Sequence, residues 1–156
     1  MKLLAIDAST MVATLSAVIS IVTYVNTSQF EKRKITIEAV NLLQNEVLDK
    51  FVAINKKNAK IIVENLDNEK CREAYNDYRT LIARVDHFAV AVNKRIYNLR
   101  IVNILVGKHI IYLYEKVIPI INEANKNEKS NRNYCNFEKL VKKLNRKHKI
   151  IKIKRI

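Results

Sequence analysis

The sequence predicts an all-α protein. An N-terminal transmembrane helix, able to continue as a long cytosolic helix, leads into a small helical bundle, and the whole assembles as an oligomer. Three observations carry this. Gly107 and Pro119 are the only glycine and proline in 156 residues, which leaves few tight turns and argues against sheet-rich folds. Residues 8–25 carry no charge, and beyond them apolar residues return at helical spacing through most of the chain.

The opening run comes first. As a helix, residues 8–25 would be about 27 Å long, close to the hydrocarbon thickness of a bilayer. Asp7 can snorkel at the outer interface, with residues 3–6 in the headgroup layer. A buried helix of a soluble protein is the competing reading, given the many hydroxyls. A cleaved signal peptide fits less well, because Asp7 interrupts the apolar region early and no small-x-small site precedes the basic flank. Lys32, Arg33 and Lys34 outweigh Lys2 and the terminal amine. This predicts a single pass through the inner (cytoplasmic) membrane with the C-terminal domain cytoplasmic.

Ser9, Ala13, Ser16, Ser20, Thr23 and Thr27 follow one another at alternating steps of four and three residues, which puts them on one face. Small and hydroxylated residues let helices approach closely and bond across the contact. No second comparable apolar run exists, so the simplest partners are copies of the same chain: a homo-oligomer whose seam is a dry interface or the wall of a pore.

The domain is expected to occupy residues 31–146, after a membrane segment 1–30 and before a basic tail 147–156. No Gly or Pro interrupts residues 28–57, and Phe30, Val40, Leu43, Val47, Phe51 and Ile54 recur at helical spacing, so the membrane helix can run on as one rod. Residues 55–60 read as a basic break before Ile61, Ile62 and Val63. Asn65 and Asn68 offer caps for a second long helix marked by Cys71, Tyr75, Tyr78, Ile82, Val85, Ala89 and Val92. Residues 93–98 form a connection. Asn98 caps a short helix carrying Ile101, Val102 and Leu105, which ends at Gly107. Residues 109–124 are apolar nearly all round, predicting a central helix kinked or interrupted near Pro119. After a polar loop at 125–132, Tyr134, Phe137, Leu140, Val141 and Leu144 give a final amphipathic helix. The tail alternates basic and apolar residues and reads as a basic arm for nucleic acid or lipid, an added strand on a partner, or a disordered end.

Chemistry is sparse. His87, His109 and His148 stand far apart without ligand-spaced partners, so no metal is expected. Asp86 and His87 are helix neighbours about 100° apart, which reads as a surface Asp beside a half-buried His. Cys71 and Cys135 lack metal or disulfide patterning and are expected to be thiols. No phosphate loop, nucleophile elbow or carboxylate pair is present, so neither an enzyme nor a cofactor is expected.

The order of features Tyr78-Arg79-x-Leu81, Val85-Asp86-His87-Phe88, Ile96-Tyr97, Leu105-Val106-Gly107, Tyr112-x-Tyr114-Glu115, Ile118-Pro119 and Tyr134-x-x-Phe137-Glu138 resembles the bacterial domain-of-unknown-function 4760 family. The resemblance covers residues 78–144. It implies a small protein with an N-terminal span and a helical cytosolic domain, and it brings no catalytic residues. The chain departs from it at residues 93–98, where the family leads one to expect a glycine. A looser architectural likeness is to the membrane effectors of Hailong-type antiphage operons, in which a nucleotide-derived signal opens a membrane assembly.

The formal net charge of +14 attracts polyanions: nucleotides, oligonucleotides or anionic lipid. The candidate anion-binding residues are Arg79, Arg84, Lys94, Arg95, Arg100 and Lys108, with Tyr97 available to stack on a base and the helix after Gly107 offering amide donors. A solvated lysine-rich face is the plain alternative. The expected function is a membrane effector or channel opened by an anionic signal. The alternative is a tethered adaptor holding a protein or nucleic acid at the membrane.

Overall fold

The computed structural model describes residues 8–54, 58–126 and 133–153, and the side chains of residues 10–51, 58–126 and 133–146. Among them every regular element is helical, and no strand occurs.

The first element is a rod. Helix α1 (Ala8–Leu43) passes through a π-helical stretch (Gln44–Leu48) into α2 (Asp49–Ile54) without a break. Its first part stands clear of the domain, and side chains 10 to 31 are all exposed. An 18-residue window there has mean hydropathy 1.4 and no buried residue, so this helix can cross a membrane by length and composition. Its lower part belongs to the core: Val40, Leu43, Val47 and Phe51 are buried. Two successive steps of four residues, from Leu43 to Val47 to Phe51, would over-rotate an ideal α-helix by about 80°. The wider π turn takes up the excess and keeps Phe51 on the domain side. Phe30, at helical spacing with this set, is 69% exposed and lies above the domain; Ile54's side chain lies outside the described residues.

Helices α3 (Ala59–Glu64), α4 (Glu69–Asn93), α5 (Leu99–Leu105), α6 (Gly107–Ala124) and α7 (Cys135–Ile153) complete the bundle. Asparagines start three of them: Asn58, Asn68 and Asn98 each accept a backbone N–H of the first turn through Oδ1. The core is continuous, with Tyr78, Ile82, Val85 and Ala89 of α4 against Ile110, Leu113, Val117 and Ile120 of α6 and Phe137, Leu140 and Leu144 of α7.

Two expectations are corrected. Gly107 does not end α5: it opens α6, it is buried, and no glycine takes a positive φ. The corner is made by Val106 at φ −133°, and a residue without a side chain lets α6 start close behind it. Nor does Pro119 interrupt α6, which continues to Ala124. The expected loop at 125–132 is described only at its edges, where Asn133 N–H donates to Asn125 Oδ1 at 2.7 Å.

Helix directions follow from side-chain bonds. Arg84 meets Glu46, whereas Asn98 N–H donates to Thr36 Oγ1, so α4 runs antiparallel to the rod, back toward its exposed apolar part. Asp86 meets Phe137 and Asn93 meets Lys143, so α7 runs the same way as α4. Helix α7 stays helical to Ile153, taking in most of the segment set apart as a tail; residues 154–156 lie outside the described residues.

Candidate functional site

The basic residues gather where α4 and α7 approach the foot of the rod's exposed apolar stretch. Val90, Asn93 and Lys94 of α4 and its C-terminal turn face Asn136, Lys139, Lys142, Lys143 and Arg146 of α7 across a groove of about 500 Å³. Around the end of α4 lies a second groove of about 350 Å³, lined by Gln29 and Lys32 of the rod, Arg95, Tyr97 and Asn98 of the connection, and Lys143. Lys143 belongs to both, so the two make one basic strip. Among the described residues, no carboxylate lines either groove.

Local structure fixes these positions. Lys143 Nζ donates to Asn93 Oδ1 at 2.8 Å, and Asn93 Nδ2 donates to the Asn136 carbonyl at 3.0 Å, which ties α7 to the end of α4. Lys142 pairs with Glu138 at 2.7 Å and is partly neutralised. Arg95 sits at φ 64°, a left-handed conformation that costs a non-glycine residue about 1–2 kcal/mol. This is the connection where the family resemblance leads one to expect glycine.

The six predicted anion ligands are not brought together. Lys94 and Arg95 line the strip. Arg79 is about 22 Å farther along α4, counting fifteen residues back from Lys94. There its Nε donates to Tyr134 Oη at 3.5 Å, and its guanidinium lies 5.8 Å from the Tyr75 ring centre. Burial pushes the Tyr75 phenol up, against the pull of Arg79, and Glu123 and Tyr134 add to the rise. Arg84 is held by Glu46 at 3.0 Å, over a cleft of about 250 Å³ that His87 and Phe88 also line. Arg100 and Lys108 are exposed in the first turns of α5 and α6. Tyr97 is half-buried with its ring 5.5 Å from that of Phe88.

The strip also takes in Lys32 of the basic flank and Lys139, Lys142, Lys143 and Arg146, the basic side of the last helix, which sequence reasoning did not group with the anion candidates. Those on α7 recur at steps of three and four, a legible signal, but their meeting with Lys94 depends on α7 running parallel to α4.

On the exposed apolar part of the rod, Ala13, Ser16, Ser20, Thr23 and Thr27 are exposed; Ser9's side chain lies outside the described residues. Ser20 Oγ donates to the Ser16 carbonyl and Thr23 Oγ1 to the Ile19 carbonyl, each at 2.9 Å. Asp86 and His87 reverse their expected roles: Asp86 is half-buried and caps α7, while His87 is exposed. Cys71 and Cys135 are half-buried free thiols.

A family model described as a domain of unknown function (DUF4760) matches residues 10–144. The chain belongs to this family. The match begins on the exposed apolar helix and runs through the bundle, so it takes in both ends of the rod that joins them. It ends at Leu144, and the last turns of α7 fall beyond it. No curated protein and no solved structure is significantly similar to the chain.

Proposed function

We propose that this DUF4760 protein is a self-associating, single-span protein of the inner membrane, with its domain cytoplasmic, whose basic strip receives an anionic ligand and thereby controls membrane permeability. The reading is of a non-catalytic protein. It rests chiefly on the rod, whose two halves use opposite faces. At about 100° per residue, the line from Ser9 to Thr27 averages about half a turn away from Thr36, Val40, Leu43 and Val47. The protein's own domain therefore leaves the hydroxyl face uncovered, and copies can join through it with their domains outermost. Lys32 is on the same rod and lines the basic strip, so an anion held there bears directly on the helix that crosses the lipid. A nucleotide or oligonucleotide signal in an antiphage effector suits such a device.

The test is potassium release from proteoliposomes holding the full chain, with ATP or a short oligonucleotide added on the domain side. Release that needs the anion, and that is lost when Ser16 and Ser20 are changed to Leu, is the expected result. Conductance unaffected by those substitutions removes the pore.

One observation favours a second reading. Ser20 and Thr23 already satisfy their hydroxyls within the helix, which suits a dry seam and hence a tethered adaptor for a cytosolic protein or nucleic acid. A stable dimer without ion flux, and with a salt-sensitive partner, selects it.

A further inference from the structure

We infer that the groove formed by Lys32, Arg95 and Lys143 binds the phosphate headgroups of anionic lipids in the leaflet its own span crosses. This rests on the reading of the basic strip as an anion site and names the ligand of its membrane-proximal end.

Position is the first argument. Gln29 and Lys32 follow the end of the apolar run at Val25 by about 6 and 10 Å along the rod, so the groove opens at headgroup level when the span is in lipid. Chemistry is the second. Three cations from three separate elements converge there, and among the described residues the groove has no carboxylate and neither Lys32 nor Arg95 forms an ion pair. Basic side chains beside an anionic leaflet each contribute to its attraction, and a guanidinium and ammonium groups suit phosphate.

The connection supplies the third. Arg95 is held in its left-handed conformation in the turn that faces the membrane, and the next residue, Ile96, is 59% exposed. A basic residue followed by an exposed branched apolar one, at interface depth, is the composition of a segment that rests in the headgroup layer. The strain at Arg95 places the cation and the apolar side chain together at that edge. Helix α7 adds a fourth. Its backbone continues ten residues beyond Lys143 to Ile153, about 15 Å, which exceeds the distance from Lys32 back to Val25. The stretch that reaches this level reads Lys147-His-Lys-Ile-Ile-Lys-Ile153, basic and apolar in turn. The domain thus meets the bilayer at a second place besides its span.

The test is amide hydrogen exchange on the full chain in nanodiscs of phosphatidylcholine alone or with phosphatidylglycerol, and in phosphatidylcholine with soluble pyrophosphate. The expected result is exchange at Ile96 and Tyr97 slowed about tenfold by phosphatidylglycerol, and no slowing in the Lys32→Gln, Arg95→Gln, Lys143→Gln variant. Arg95→Gly, which suits the turn, separates lost charge from a disturbed fold: it should also lose most of the slowing. Equal exchange in both lipids overturns the inference. Protection by pyrophosphate but not by phosphatidylglycerol also overturns it, while leaving the strip's role as receiver of a soluble anion intact.

Discussion

The backbone N–H of Phe137, in the first turn of α7, donates to Oδ1 of Asp86 on α4 at 2.8 Å, across fifty-one residues of sequence. Tyr134, the residue before Cys135, sits at φ 62° and has no short polar side chain to offer as a cap for α7. Asp86 does that work from a neighbouring helix, and its Oδ2 accepts from Asn136 Nδ2 at 3.3 Å. Asp86→Ala should lower stability by about 1–2 kcal/mol and speed exchange of the Phe137 amide, whereas Asp86→Asn should retain most of the cap. Denaturation of the solubilised full chain with local exchange checks this; equal loss in both variants would show that charge, not capping, matters.

Thr36 is the one fully buried polar residue among those described, at 0% exposure. Its Oγ1 donates to the Lys32 carbonyl at 2.6 Å and accepts from Asn98 N–H at 2.9 Å, which fastens the start of α5 to the rod. Thr36→Val keeps the shape but strands that N–H, at a cost of about 1–3 kcal/mol. Thr36→Ser should restore most of it. Thermal denaturation of both variants decides.

Arg95→Gly should raise stability by about 1 kcal/mol, because glycine takes φ 64° without the penalty that arginine incurs. It should also weaken binding of anions to the strip. A variant that gains stability without losing affinity would remove Arg95 from the site.

Arg84→Ala should leave anion binding unchanged. Its guanidinium is held by Glu46, and both side chains are about half exposed, so the pair itself is worth about 0.2–1 kcal/mol. Titration with pyrophosphate alongside a Lys143→Gln variant provides the comparison.

Burial pushes the Tyr78 phenol above its ordinary value of 10.0. The unfolded chain therefore releases this proton first as pH rises. The contribution is full below about pH 10 and is lost as pH climbs through the raised value. Tyr78→Phe, which keeps the edge-on contact with Phe51, should flatten the alkaline decline in denaturation midpoint.

Much of the fold was legible because helical periodicity and asparagine caps act locally. Val40, Leu43, Val47 and Phe51, or Asn68 and Asn98, announce themselves within a few residues. The quoted family residues Tyr78, Leu81, Val85, Phe88 and Phe137 are buried, so that resemblance reported packing more than chemistry. The candidate site was legible only in part. Lys94 and Arg95 line the basic strip, but Arg84 meets a carboxylate thirty-eight residues earlier, and Lys143 reaches Asn93 fifty residues away. No local pattern encodes those encounters, which depend on how α7 lies along α4. Asp86 was misread for the same reason: an acidic side chain that ends another helix looks like any surface carboxylate in a linear string.

The unbroken passage from Thr10 to Phe51 has a mechanical consequence. With no joint between the exposed apolar part of the rod and the bundle, the bundle cannot stay still when the shaft leans. From Val25 to Phe51 the lever arm is about 39 Å, so a change of about 10° in lean carries its far end about 7 Å. In the proposed membrane-spanning arrangement, bilayer thickness, which governs how far a helix of fixed apolar length leans, would set the attitude of the bundle above the membrane surface.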